Sequence, residues 1–95
     1  MTRPLRLALR VVDFVRRLAP EQRRAIKRAL RELAHERGDI RALDGDLAGY
    51  HRLRVGRHRI IFNYAADGAI EAVFIEERSL VYDVFEAEFI KKIKG

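Results

Sequence analysis

Residues 50–76 constrain the fold more tightly than any other stretch of this chain. Two turn signals, Gly56-Arg57 and Asp67-Gly68, cut the stretch into three strand-like runs, at 50–55, 58–64 and 69–76. A period of two sends one set of side chains toward a core and the other to the opposite face of a sheet. Gly-X suits a two-residue type II′ hairpin loop and Asp-Gly a type I′ loop, so the three runs predict an antiparallel meander. Closing the first hairpin at Gly56-Arg57 pairs Val55 with His58, Arg54 with Arg59, Arg52 with Ile61 and Tyr50 with Asn63. Leu53, Val55, Ile60, Phe62 and Tyr64 then share the core face. Closing the second at Asp67-Gly68 pairs Phe62 with Val73, Ile60 with Ile75 and Arg59 with Glu76.

Upstream the period changes. Leu5, Leu7 and Leu9 alternate and predict a short first strand, after which Val11, Val12, Phe14, Val15 and Leu18 recur at helical spacing. Pro20 cannot continue that helix but suits the first turn of the next. The second helix is expected over 20–36, with Ile26, Ala29, Leu30 and Leu33 on its apolar face and Gly38 placed to end it. Residues 38–49 hold Gly38, Asp39, Asp44, Gly45, Asp46 and Gly49 and read as a turn-rich linker. Residues 84–94 predict a terminal helix with Phe85, Phe89, Ile90 and Ile93 turned inward. The expected architecture is a single α+β domain over residues 1–95. It has a short N-terminal strand, two helices packed on a three- to four-stranded antiparallel sheet, and a short C-terminal helix.

A chain of 95 residues can bury a modest core without a metal or disulfide framework, and with no cysteine it offers no disulfide or thiolate site. Arginines interrupt every apolar stretch from Arg3 onward, so neither a signal peptide nor a membrane span is expected, and a cytoplasmic location is the default. No paired histidines, phosphate-binding glycine loop or carboxylate cluster points to a metal, nucleotide or flavin, and no cofactor is expected.

The net charge of +6 is unevenly spread: residues 1–37 carry eleven basic and four acidic side chains, residues 38–95 nine and ten. A polycationic first part suggests a polyanionic partner, nucleic acid or an acidic protein segment, against the plainer alternative of a solvated surface. On the second helix, Arg23, Arg24, Lys27, Arg28 and Arg31 fall in a stripe of roughly 140° opposite the apolar face. That stripe suits phosphates, or is simply the solvent side of an amphipathic helix.

The sheet carries the more specific signal. Arg52, Arg54 and Arg59 share the face opposite the core, with Arg54 directly across from Arg59, and like charges paired across strands are destabilising. Such a cost is tolerated most readily where an anion binds. Glu76 lies beside Arg59 on that face, and Arg78 and Tyr82 follow closely enough in sequence to join it. Arginine forks grip phosphate oxygens and could stabilise the added charge of a phosphoryl transition state. A metal-free RNase also needs a base and an acid, for which Glu76 and Tyr82 are candidates, although Glu76 could equally be a structural partner of Arg59. His35 sits where a helix C-terminus favours a cation, and His51 and His58 alternate onto the core face.

Two segments carry a family resemblance: Leu43-Asp-Gly-Asp-Leu-Ala-Gly-Tyr-His-Arg-Leu-Arg-Val-Gly-Arg-His-Arg-Ile-Ile-Phe62 and Arg78-Ser-Leu-Val-Tyr82. With the two preceding helices, the chain resembles the RelE/ParE superfamily of toxins from toxin–antitoxin pairs. The RelE-like branch cleaves mRNA in the ribosomal A site without a metal. The resemblance implies that Arg52 and Arg54 bind phosphates, that Arg59 stabilises the transition state and that Tyr82 stacks on or hydrogen-bonds to the substrate. Where RelE has a second catalytic arginine near the end of its last strand, this chain has Glu76, with Arg78 two residues later. Other ribosome-dependent members use a glutamate or histidine. The ParE-like branch poisons DNA gyrase and lacks most of the cleavage residues, so retention of Arg52, Arg54, Arg59 and Tyr82 favours the nuclease. A third possibility is a non-catalytic member that binds only RNA or its antitoxin. The implied partners are a cognate antitoxin, the ribosome and mRNA. Arg23, Lys27 and Arg31 would then contact ribosomal RNA, with an affinity that falls steeply with salt.

Overall fold

A computed structural model describes residues 2–77. In chain order the elements are β1 (Leu5–Leu7), α1 (Leu9–Arg16), α2 (Pro20–Ala34), β2 (Asp39–Ala42), a 3-10 turn (Gly45–Leu47), β3 (Tyr50–Val55), β4 (His58–Tyr64) and β5 (Ile70–Glu77). The α+β class and the order of helices and meander are as expected. The sheet, however, has five strands in the order β1-β5-β4-β3-β2, with β1 parallel to β5 and all other pairs antiparallel. The expected terminal helix over 84–94 lies outside the described residues.

Burial of one face organises the sheet. Val11 and Val15 of α1 and Ile26, Leu30 and Leu33 of α2 pack on Leu53, Ile60, Phe62, Ile70, Ala72 and Ile75. Ala19 is extended (φ −58°, ψ 152°) because the ring of Pro20 excludes the helical region for the residue before it, and that break lets α1 and α2 turn against the same sheet face. The opposite face carries a smaller cluster of Leu47, Ile61 and Phe74, against which Leu43, Tyr50 and Val73 pack.

Three local expectations are corrected. First, Asp39–Ala42 is an edge strand rather than linker, paired with β3 so that Asp39 faces Arg54 and Arg41 faces Arg52. Its only apolar signal is Ile40, because an edge strand of four residues has little to bury. Second, Asp67-Gly68 does not form a two-residue loop. Gly68 N–H donates to the Ala65 carbonyl (2.9 Å) and Ala65 N–H to the Ala69 carbonyl (2.8 Å), with Gly68 alone at positive φ (+87°). A type I′ loop needs positive φ at both central residues, whereas a three-residue loop needs it only at the last. The Asp67 carboxylate, its pKa lowered chiefly by its hydrogen bond to Arg6, accepts the N–H of Ala69 within this turn. The turn shifts the register by one, so Phe62 pairs with Ala72 rather than Val73. A bulge between Ile61 and Phe62 then restores it, and Ile60 meets Ile75 and Arg59 meets Glu76 as expected.

Third, Glu36 and not Gly38 closes α2. Glu36 takes the left-handed conformation (φ 58°), Arg37 N–H donates to the Glu32 carbonyl (3.0 Å) and Glu36 N–H to that of Leu33 (2.7 Å). This is the Schellman pattern, which usually uses glycine. The side chain of Glu36 offsets its backbone strain: it accepts from Tyr64 Oη (3.1 Å) and lies 3.3 Å from Arg3 Nε, while Arg3 also lies over the Tyr64 ring at 5.1 Å.

Gly38 serves a different need. It sits at φ +127°, and a Cβ there would come within 2.8 Å of Leu53 Cδ1, the side chain of a core residue that is 1 % exposed. Gly38→Ala combines a clash with a disfavoured backbone, so urea denaturation should show a loss of more than about 1 kcal/mol.

Candidate nucleic-acid interface

Residues paired across an antiparallel ladder project from the same face, so the register lays out the surface opposite the helices in rows. One row runs Asp39, Arg54, Arg59, Glu76 across β2, β3, β4 and β5; the next runs Arg41, Arg52, Ile61, Phe74. Arg52, Arg54, Arg59 and Glu76 are therefore brought together as expected. Arg41 is an addition not evident from the sequence, because residues 38–49, with their glycines and aspartates, read as linker. The one available signal was the alternation Asp39-Ile40-Arg41, too short to stand out among the neighbouring glycines and aspartates. Arg78 and Tyr82 lie outside the described residues.

The four arginines differ in freedom. The Arg52 side chain, 12 % exposed, donates to the Asp39 carbonyl (3.1 Å) and lies 3.2 Å from Asp39 Oδ1. Arg59 is 9 % exposed and donates to the carbonyls of His58 (3.2 Å) and Gly56 (3.3 Å). Its guanidinium thus braces the β3–β4 turn, where Gly56 at φ +59° followed by Arg57 at negative φ fits the expected type II′ loop. Arg54 and Arg41 are exposed and make no ion pair or hydrogen bond among the described residues. Glu76 is half-buried, and its Oε1 accepts the N–H of Glu77 at 3.2 Å. The face thus presents two exposed cations without a partner among the described residues beside two held ones, with like charges opposed in both the Arg41–Arg52 and Arg54–Arg59 pairs.

The helical stripe lies on the other side of the molecule. α2 covers the core face of the sheet and turns Arg24, Lys27, Arg28 and Arg31 to solvent, with Arg23 half-buried. Arg23, Lys27 and Arg31 therefore do not join the sheet arginines.

The histidines follow the core assignment. His51 stacks on Phe62 (centroids 5.3 Å apart, 21° between planes), His35 is the C-cap of α2, and His58 is 4 % exposed with its ring edge-on to Phe14 at 5.7 Å. Burial pulls the His58 pKa below its ordinary value; Arg57 adds to this, while Glu77 and Glu76 oppose it.

The fold is found in known structures. The chain superposes on one from the RelBE2 toxin–antitoxin complex of Mycobacterium tuberculosis with a TM-score of 0.71 and 20 % identity, covering 82 % of this chain and 100 % of that one. A chain of the RelB–RelE antitoxin–toxin complex from Methanococcus jannaschii gives 0.67 and 25 %, covering 84 % and 98 %. The chain is RelE-like in fold. A third RelE-like match, from the archaeal RelE–RelB complex of Pyrococcus horikoshii, gives a TM-score of 0.60 and 24 % identity over 82 % of this chain and 97 % of that one. No protein-family model and no curated protein matches the sequence. Within this RelE-like fold, no helix among the described residues is long and apolar enough to cross a membrane.

Arg59→Ala should cost about 1–2 kcal/mol in urea denaturation, because the turn carbonyls lose a charged donor, whereas Arg54→Ala should be neutral or slightly stabilising by relieving the repulsion opposite Arg59. For His58, the unfolded chain takes up its proton first as pH falls, so folding stability should decline as pH drops below about 6.5 toward the lower folded-state pKa. Thermal melts between pH 7.5 and 5.5 should show that slope, and His58→Phe should flatten it.

Proposed function

We propose that this protein is the toxin of a toxin–antitoxin pair and that it cleaves mRNA on the ribosome, in the cytoplasm, without a metal or cofactor. The observation that carries this reading is the pair of arginine-bearing rows on the sheet face opposite the helices. Their mutual repulsion calls for an anion, and a phosphodiester supplies two oxygens to each guanidinium fork. In this reading Arg54 and Arg41 hold phosphates flanking the scissile bond, and Arg52 is kept in register by Asp39. Arg59, already desolvated and braced, contributes a fixed positive charge where negative charge develops as the 2′-oxygen attacks phosphorus. Glu76, directly opposite Arg59, takes the 2′-hydroxyl proton, and Tyr82 or Arg78 serves the leaving oxygen. The α2 residues Arg23, Lys27 and Arg31 bind ribosomal RNA from the far side of the molecule. The antitoxin is an acidic segment that covers the arginine face.

One observation favours a second reading. At 9 % exposure, with turn carbonyls as partners, Arg59 has a sufficient structural role without catalysis. The face would then bind RNA or an antitoxin without cutting.

Translation of a defined mRNA in a purified system, with primer extension to map breaks, separates these readings. Ribosome-dependent cuts by the intact protein, reduced about 100-fold or more in a folded Arg59→Lys variant, are the expected result. RNA binding without cuts favours the second reading. Absence of cuts together with inhibition of DNA gyrase supercoiling would move the assignment to the ParE-like activity.

A further inference from the structure

At the β2 edge of the arginine face lies an open cavity of about 340 Å³, lined by Arg41 and Ala42 of β2, by Leu43, Asp44 and Leu47 of the connection, and by Arg52 of β3. Its volume is near the lower end of the roughly 300–1,000 Å³ range of small-ligand sites. Three kinds of surface meet in it. The floor is aliphatic, for Leu47 is 7 % exposed and Leu43 packs against the Leu47, Ile61 and Phe74 cluster. One wall holds two guanidiniums on directly opposed residues, Arg52 fixed by Asp39 and Arg41 without a bonding partner among the described residues. At the start of the 3-10 turn, the Asp44 carboxylate makes no hydrogen bond among the described residues.

This combination suits few ligands. A purely apolar group would leave three charges unused, and an acidic peptide would set its carboxylates against Asp44. A single nucleotide uses all three surfaces. We propose that this cavity is a base-specific subsite for one nucleotide of single-stranded RNA, and that Asp44 makes it prefer guanine. The phosphate lies on Arg41 and Arg52, and the base rests on Leu43 and Leu47. The Watson–Crick edge of guanine presents two parallel donors, N1–H and the 2-amino group, which match the two oxygens of a carboxylate. Adenine and cytosine set an acceptor beside their amino donor, and uracil flanks its one N–H with two carbonyls, so each places a lone pair against Asp44. The inference rests on the reading that the sheet face takes RNA: Arg52 belongs to both sites, and on β3 it stands two residues, about 7 Å, from Arg54.

The test is fluorescence anisotropy of the full chain with labelled hexauridylate and with the same hexamer carrying one guanosine, adenosine or cytidine. The guanosine hexamer should bind about fivefold tighter or more than hexauridylate. Asp44→Asn should erase that ratio without weakening hexauridylate, and Arg41→Gln should weaken both and reduce the salt slope by about one. Equal binding of all hexamers overturns the subsite and leaves RNA binding standing. Binding to none overturns both. A guanosine preference that survives Asp44→Asn, or tight binding of hexaglutamate strengthened by that change, also overturns it. Independently of any variant, 5′-GMP should shift the methyl NMR signals of Leu43 and Leu47 more than 5′-UMP does, and equal or absent shifts overturn the subsite.

Discussion

Strand β4 has to be covered on both of its faces, and the rest of the molecule is arranged around that requirement. Ile60, Ile61 and Phe62 are successive residues with no exposure at all, so they alternate between two apolar environments. Ile60 and Phe62 are covered by α1 and α2. Ile61 needs a second cover, which Leu47, Leu43 and Phe74 supply. The segment after α2 therefore folds back across the sheet as β2 and the 3-10 turn. That return path delivers Arg41 beside Arg52 and Asp39 within reach of it, so a core requirement sets the shape of the charged surface.

The charged surface is stable only in part by its own interactions. Asp39 neutralises Arg52, and turn carbonyls hold Arg59, while Arg54 and Arg41 keep their charges without compensation inside the described chain. An exposed guanidinium in water is cheap to maintain, so two unpaired arginines cost little until they are placed opposite like charges. Under the proposed function these two would be the phosphate contacts, and the braced pair would define where they sit.

Much of this was legible from residues 50–76. Gly56-Arg57 set where the hairpin turns, so the β3–β4 register and the shared face of Arg52, Arg54 and Arg59 followed directly from the period of two. The Arg59–Glu76 pairing also came out as read, but through two compensating irregularities: a longer turn at Asp67-Gly68 and a bulge at Ile61/Phe62. Turn type depends on backbone angles that Asp-Gly permits in more than one combination. The consecutive apolar residues of β4 were themselves a sign that both faces are buried, and pointed to a cover for Ile61 that local patterning alone could not locate.

By itself, the sequence determined the α+β class, the break between the helices at Pro20, the central hairpin and the side of the sheet on which its arginines stand. These depend on local backbone preference and side-chain period, which act over a few residues. That residues 39–42 form an edge strand, that Glu36 closes α2, and that Arg59 is braced while Arg41 and Arg54 are exposed emerge only in the folded chain. Each of those outcomes turns on a partner distant in sequence: β3 for the edge strand, Tyr64 and Arg3 for Glu36, and the packing around β4 for the arginines. Local propensity carries no information about contacts that form only when the sheet closes over its core.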